Sequence, residues 1–330
     1  MLFRSAIGAT LIMCVGEFDL SIGALASLGG VIGALLAVAG FPVWLCFLVP
    51  VVACLILGWV NGWIVTKFNV LSFITTLGMS TILAGFTYWL TDGSTVFQNI
   101  PKSFTFIGSK SLTQIPYLTM IMLLFSVIFW FIMRNTAFGR KLYAIGGNET
   151  ASRVSGINVN RNKRIAFALC GGLSAVTGVL MASRLGSAHP TGGDSFFLSS
   201  YAAVYLGSTV FRESVPNVWG TFIGAAILGI LANGLTILQV PTYIQDILNG
   251  SNNYFSGNRA KIRERKHRIM ELRSIRNRNL LNRSKSLLAG YLVSGYPTFG
   301  QFLDVGANCE PHNPNHRVPL QLKLYWFQLD

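Results

Sequence analysis

Eight apolar stretches recur along the first 240 residues, and they constrain the fold more than any other feature of the sequence. A membrane-spanning helix needs roughly 20 mostly apolar residues to cross the hydrocarbon core, and several of the stretches reach this length. The chain is therefore predicted to be an all-α, polytopic transmembrane helical bundle. The stretches are residues 5–15, 20–40, 43–66, 71–90, 116–133, 165–185, 197–211 and 217–240.

Two of the eight stretches are short, and the other six are predicted to span the membrane. Residues 5–15 and 197–211 both adjoin Gly-rich or polar breaks, a pattern typical of discontinuous or re-entrant helices. Hydrophobic residues make up 52% of the chain and charged residues only 12%, whereas about 25% of the residues in a soluble domain are charged. The composition excludes an ordinary soluble domain.

Basic residues are concentrated between residues 134 and 164, and they predict the orientation of the chain. This loop contains seven Lys and Arg residues and one acid, Glu149. Short loops rich in Lys and Arg remain in the cytoplasm, so this loop is predicted to be cytoplasmic. Lys67, two spans earlier, then lies on the same side, and residues 91–115 lie outside.

Two acids, Glu17 and Asp19, lie in the motif G-E-F-D-L-S-I-G, residues 16–23, close to the apolar start of the chain. A charge at the centre of a spanning helix costs about 2.5–3.5 kcal/mol, so these acids are expected to have a structural or functional role. Asp19 either lines a translocation path at a helix break or caps the next helix by accepting from the amide of Ser21 or Ile22. The two interpretations are compatible.

Polar and small residues inside the spans predict contacts between helices. Asn61 and Asn233 each precede a Gly in or near the end of an apolar run, and each offers a hydrogen bond either to a sugar hydroxyl or to a neighbouring helix. Three G-x-x-x-G pairs together indicate a tight helix contact or a dimer face, whereas any single pair is explained equally well by the frequency of Gly in membrane helices. The pairs are Gly29 with Gly33, Gly58 with Gly62, and Gly220 with Gly224.

Motifs for catalysis and for nucleotide or metal binding are missing from the sequence. It contains no G-x-x-x-x-G-K-[ST], no H-E-x-x-H, no G-x-G-x-x-G and no C-x-x-C. None of the four histidines lies at predicted membrane depth, where a proton relay would need them. We predict a non-enzymatic protein without catalytic residues, metal site or cofactor, whose energy is supplied by another subunit.

Residues 136–159 form a polar, charged segment that nevertheless shows a helical pattern. Its sequence is T-A-F-G-R-K-L-Y-A-I-G-G-N-E-T-A-S-R-V-S-G-I-N-V. Two helix-compatible pieces are split by Gly146 and Gly147, with Glu149 in the first turn of the second piece and Gly156 as its stop. A solvated basic loop is the alternative.

Two motifs resemble those of the ribose-type permeases of bacterial ABC sugar importers, and the resemblance covers about residues 6–250. G-E-F-D-L-S-I-G resembles the family's Gly-Gly-Ile-Asp-Leu-Ser-Val-Gly but departs from it at Glu17 and Phe18. F-G-R-K-L-Y-A-I-G-G-N-E resembles the family's coupling region. The resemblance implies a bundle with discontinuous helices and a cytoplasmic coupling loop at residues 134–164, in the bacterial plasma (inner) membrane.

The resemblance also implies partners and residue roles for a permease subunit of an ATP-driven importer of a simple, ribose-like sugar. The implied partners are cytoplasmic ABC ATPase subunits, a second permease subunit and an external sugar-binding protein, and no nucleic acid is expected. Which sugar is carried stays open. The predicted pathway residues are Asp19, Ser21, Asn61 and Asn233, and the predicted ATPase-coupling residues are Arg140, Gly147, Asn148, Glu149, Ala151 and Gly156.

The two ends of the chain differ from the ribose-type permeases that it resembles. The resemblance implies an additional leading helix before the first motif and a final hydrophobic helix after residue 250. Residues 1–250 are interpreted as the transmembrane domain and residues 251–330 as a basic tail, with eleven Lys and Arg between residues 259 and 285. The tail is interpreted as a surface for anionic lipid or nucleic acid, a linked soluble domain or, as we favour, an out-of-frame or disordered segment.

Three other classes of protein remain open as alternatives to an active ABC permease. They are an inactive truncated permease, an ion- or proton-coupled secondary transporter, and a membrane-anchored nucleic-acid-binding protein.

Overall fold

The computed structural model describes residues 2–112, 115–210 and 215–239, and most of these residues lie in helices. The predicted all-α bundle is confirmed. One short antiparallel pair, β1 (Ser111–Leu112) with β2 (Ile115–Pro116), interrupts it. The helices of the described residues are α1 (Leu2–Cys14), α2 (Ile22–Val38), α3 (Val43–Phe68), α4 (Ser72–Thr91), α5 (Lys102–Ser109), α6 (Tyr117–Asn135), α7 (Ala137–Gly147), α8 (Glu149–Val154), α9 (Val159–Leu185), α10 (Asp194–Val210) and α11 (Val218–Ile237).

Five of these helices, α3, α4, α6, α9 and α11, are long and apolar enough to cross a membrane. The predicted span at residues 20–40 is shorter than expected, because α2 begins only at Ile22 and has 17 residues. The two stretches predicted to be short are α1, with 13 residues, and α10, with 17. The predicted tail, residues 251–330, lies outside the described residues, so the division at residue 250 stays a prediction.

Helix α9 forms the centre of the bundle. Within its apolar window 78% of the residues are buried, against 17–28% in the other four spanning helices. It packs on α1, α2, α3 and α5. The other spanning helices leave large apolar side chains exposed along their length, as expected of helices that face lipid tails.

The G-x-x-x-G pairs form close contacts within the chain. A Cβ on Gly29 of α2 would lie 2.7 Å from the Cα of Ala175, and a Cβ on Gly62 of α3 would lie 2.8 Å from the Cα of Arg164. Both neighbours belong to α9, and the pair on α11 packs in the same way against α10. Of the two interpretations of these pairs, the structure supports the tight helix contact.

Contacts at the two ends of α9 agree with the predicted topology. At its N-terminal end, Arg164 Nε donates to Thr66 Oγ1 over 2.7 Å, next to Lys67. At its C-terminal end, Ser183 Oγ donates to the carbonyl of Phe104 over 2.7 Å. Lys67 and the basic loop therefore share one end of the bundle, and the described part of residues 91–115 lies at the other. Helix α5, in that second region, was not predicted from the sequence.

Candidate functional site

An irregular segment of residues 15–21, called the break segment here, separates α1 from α2. It turns at Gly16, whose φ of +77° suits a residue without a Cβ. Non-helical backbone at membrane depth is stable only where protein or water satisfies its polar groups. Side chains of α4 and α10 satisfy three of its amides: Phe18 donates to Ser72 Oγ (3.2 Å), Leu20 to Thr76 Oγ1 (3.0 Å) and Asp19 to the Tyr201 hydroxyl (2.7 Å).

Asp19, Ser21 and Asn61 meet in one buried cluster. Asp19 Oδ1 accepts from the amide and the hydroxyl of Ser21, over 2.8 and 2.5 Å. Asn61 Nδ2 donates to Ser21 Oγ over 3.0 Å. The predicted hydrogen bond from the Ser21 amide to Asp19 is confirmed, although the residue at the N-cap of α2 is Ser21 itself. The cluster ties the break segment to α3.

Two oxygen atoms of this cluster, Asp19 Oδ2 and Asn61 Oδ1, accept no hydrogen bond from a nitrogen or oxygen donor of the described residues, and the Cys170 thiol lies next to the Asp19 carboxylate. Both side chains are fully buried. An unpaired buried acceptor costs about 1–3 kcal/mol, so both atoms favour a hydrogen-bond donor.

Asn233 lies apart from this cluster. It is exposed on α11, which packs on α1, α6 and α10. The structure brings together three of the four predicted pathway residues, and their role in sugar binding stays a prediction.

Residues 136–156, called the coupling segment here, fold into α7 and α8. Asn148 Oδ1 caps α8 by accepting from the amide of Ala151 over 2.9 Å, and Gly156, with φ +81°, follows the end of α8. The predicted pair of short helices, with Glu149 in the first turn of the second, is confirmed. The segment is not an irregular solvated loop.

The last residues of the predicted coupling loop, residues 134–164, are helical, and the extent of the loop stays a prediction. Helix α9 already begins at Val159, because Asn158 Oδ1 caps it by accepting from the amide of Arg161 over 3.0 Å. The last basic residues of the loop therefore lie on the first turns of the central helix.

The predicted coupling residues lie on the surface of this segment. Glu149 is half-buried, and the other five are exposed. Their coupling role stays a prediction. The exposed residues are Arg140, Gly147, Asn148, Ala151 and Gly156.

Lys163 joins the coupling segment to the break segment. Its Nζ lies 2.5 Å from Glu17 Oε1 and 2.9 Å from Glu149 Oε2. Glu149 also pairs with Arg153 over 2.8 Å. Hydrogen bonds from Lys163 and Arg153 lower the pKa of Glu149. No local pattern in the sequence links Glu17 with Lys163, because the two residues lie far apart along the chain.

Spanning helices packed around α9, one broken helix and a helical segment exposed at one end fit a multi-pass membrane permease. Residues 4–251 match the family described as branched-chain amino acid transport system / permease component, and the chain belongs to this family. The resemblance to ribose-type permeases is confirmed by relatives of that name. The chain is a multi-pass protein of the inner membrane.

Several characterised relatives are similar to most of the chain. The ribose import permease protein of Haemophilus influenzae is 40% identical over 245 residues, covering 73% of this chain and 76% of the relative. The ribose import permease protein of Escherichia coli is 40% identical over 250 residues, covering 74% and 77%. The xylose transport system permease protein of Haemophilus influenzae is 31% identical over 310 residues, covering 74% and 82%. No solved structure matches the chain.

Proposed function

We propose that this chain forms the translocation pathway of an ATP-driven ABC importer for a simple sugar, with ribose as the first candidate. The observation that carries the proposal is the coupling segment, two capped helices exposed at one end of the spanning bundle. Such a surface fits a partner that supplies energy, and the sequence has no phosphate-binding motif of its own. The names of the ribose and xylose permeases similar to this chain support a sugar as the substrate.

The cluster of Asp19, Ser21 and Asn61 suits a sugar chemically. Sugar hydroxyls donate hydrogen bonds, and Asp19 Oδ2 and Asn61 Oδ1 are acceptors that no nitrogen or oxygen donor of the described residues satisfies. All three side chains are fully buried in this conformation. In the proposed transport cycle, a movement of the break segment would bring these buried acceptors to the sugar.

The partners follow from this role. Two cytoplasmic ATPase subunits dock on the coupling segments of two permease subunits, and an external binding protein delivers the sugar. ATP is hydrolysed by the ATPase, so this chain is not an enzyme. Closure of the ATPases moves the docked segments, and the bundle alternates between states open to either side.

Co-purification with the candidate ATPase subunit tests the proposal. We expect wild type to retain the ATPase, and Glu149→Arg and Gly156→Trp to lose it, because one reverses a charge and the other forces a bulky residue into a left-handed conformation at φ +81°. Gly85→Trp is the control, since a Cβ at this position on α4 meets no atom within 4 Å. The proposal fails if wild type retains no ATPase or if all variants retain it equally.

A further inference from the structure

The ion pairs of Lys163 lie between the two segments that transport must connect. Its side chain is only 10% exposed, and those of Glu17 and Glu149 are 17% and 41% exposed. One ammonium group therefore holds two carboxylates, one from the break segment and one from the coupling segment. Lys163 itself lies near the start of α9, the central helix.

Close packing supports the same connection. Gly146, at the end of α7, approaches the carbonyl of Cys14 so closely that a Cβ would overlap it. Tyr143 Oη and Cys14 Sγ both donate to the carbonyl of Pro216, over 3.1 and 3.3 Å. Helix α7 therefore packs on the end of α1, directly before the break segment.

The burial of Lys163 makes its contacts costly to separate. An ammonium group that loses its carboxylate partner in a poorly solvated site keeps an uncompensated charge. A displacement of α8 that carries Glu149 therefore draws Lys163 with it, and Glu17 follows Lys163. Arg153 binds the other carboxylate oxygen of Glu149 and also donates to Asn160 Oδ1 over 3.2 Å, so it is not part of the path from Glu149 through Lys163 to Glu17.

We infer that Lys163 is a positioning residue that transmits movement of the coupling segment to the break segment through Glu149 and Glu17. The inference deepens the proposed function and rests on it. It assigns to Lys163 the task of linking ATPase docking to the opening of the Asp19 cluster.

A thiol reporter on the break segment tests the inference without any partner. Phe18, 40% exposed, is replaced by Cys in a chain carrying Cys309→Ser, and the labelling rate by a maleimide dye is measured in detergent. The same chain without Phe18→Cys is the blank, since Cys14, Cys46, Cys54 and Cys170 are buried.

We expect Glu149→Gln, whose site lies on α8, and Lys163→Met to raise the labelling rate about fivefold or more, the lower end of typical coupling between sites. Lys163→Arg restores a cation that can hold both acids and is expected to label at the parent rate, as is Arg153→Gln. The inference is overturned if Glu149→Gln is labelled at the same rate as the parent chain. It is also overturned if Arg153→Gln raises the labelling rate as much as Glu149→Gln does. Because neither ATPase nor sugar is present, these outcomes are distinct from failure of the proposed function.

A second measurement separates transmission from mere stability. In vesicles with the ATPase and binding protein, Lys163→Met is expected to keep ATPase association and ATP hydrolysis, while sugar taken up per ATP falls about fivefold. Lys163→Arg is expected to restore the ratio. The opposite result is that Lys163→Met loses ATPase association and uptake together, while the sugar taken up per ATP stays unchanged. That result assigns Lys163 a structural role only and overturns the inference.

Discussion

The amide of Asp19 and the hydroxyl of Tyr201 lie 2.7 Å apart, and the same hydroxyl donates to the Asp19 carbonyl over 3.2 Å. One side chain on α10 therefore satisfies both backbone groups of a residue that belongs to no helix. This explains how an irregular segment carrying a carboxylate is stable inside an apolar bundle, where water is not available to pair with the backbone.

Tyr201→Phe is expected to destabilise the chain by about 1–3 kcal/mol, because it leaves the buried Asp19 amide without a partner. Thermal unfolding in detergent measures the effect as a lower midpoint. Tyr205→Phe, one turn further along the same helix and half-buried, is the matched control and is expected to change the midpoint less. Equal midpoints for Tyr201→Phe and wild type would show that the hydroxyl is not needed.

Gly62→Val is expected to destabilise the bundle by about 1–3 kcal/mol through overpacking. A Cβ at Gly62 would lie 2.8 Å from the Cα of Arg164, a backbone atom that cannot move aside cheaply. Gly78→Val on α4 is the control, since a Cβ there meets nothing within 4 Å. Both variants are compared by thermal unfolding, and equal midpoints would contradict the close contact of α3 with α9.

Gly156→Val is expected to weaken ATPase association, because φ +81° strains a β-branched residue by about 1–3 kcal/mol and the connection to α9 must shift. A Cβ at this position has no neighbour within 4 Å, so the effect comes from the backbone and not from crowding. Gly156→Asn is expected to lose less ATPase association than Gly156→Val, since Asn tolerates the left-handed region of backbone conformation. Equal retention of the ATPase by both variants would refute the backbone explanation.

The contribution of Glu149 to stability is expected to disappear only in acid. Hydrogen bonds from Lys163 and Arg153 lower its pKa below the ordinary value of 4.5, so the charged form is favoured in the folded chain. A lowered carboxyl pKa stabilises the folded state above the unfolded value and loses this effect as pH falls through the folded value.

The difference in unfolding midpoint between wild type and Glu149→Gln measures this contribution. It is expected to be constant between about pH 5 and 8 and to shrink below pH 4.5. A difference that shrinks already between about pH 7 and 6 would show that the carboxylate is not held by its cations.

Much of the bundle follows from patterns that are local in the sequence. Apolar length indicated the spans, and the spacing of Gly146, Glu149 and Gly156 indicated the two helices of the coupling segment, because caps and stops are set by neighbouring residues. The hydrogen bond between Asp19 and the Ser21 amide was predictable for the same reason.

The contacts that assemble the site were not predictable, because they join distant parts of the chain. Ser72, Thr76 and Tyr201 looked like ordinary polar residues of apolar helices, and only the fold brings their hydroxyls to the break segment. Lys163 was predicted only as one positive charge of a cytoplasmic loop. Its position on α9, beside both Glu17 and Glu149, depends on the packing of that helix.

Uptake of labelled ribose into vesicles tests the central claim most directly. The chain is reconstituted with its candidate ATPase subunit and sugar-binding protein, and uptake is followed with and without ATP and with the proton gradient collapsed. We predict that ribose accumulates only when ATP and both partners are present, and that collapsing the proton gradient has no effect. Accumulation that follows the proton gradient without ATP, or no ATP-dependent accumulation of ribose or xylose, would contradict an ATP-driven sugar permease.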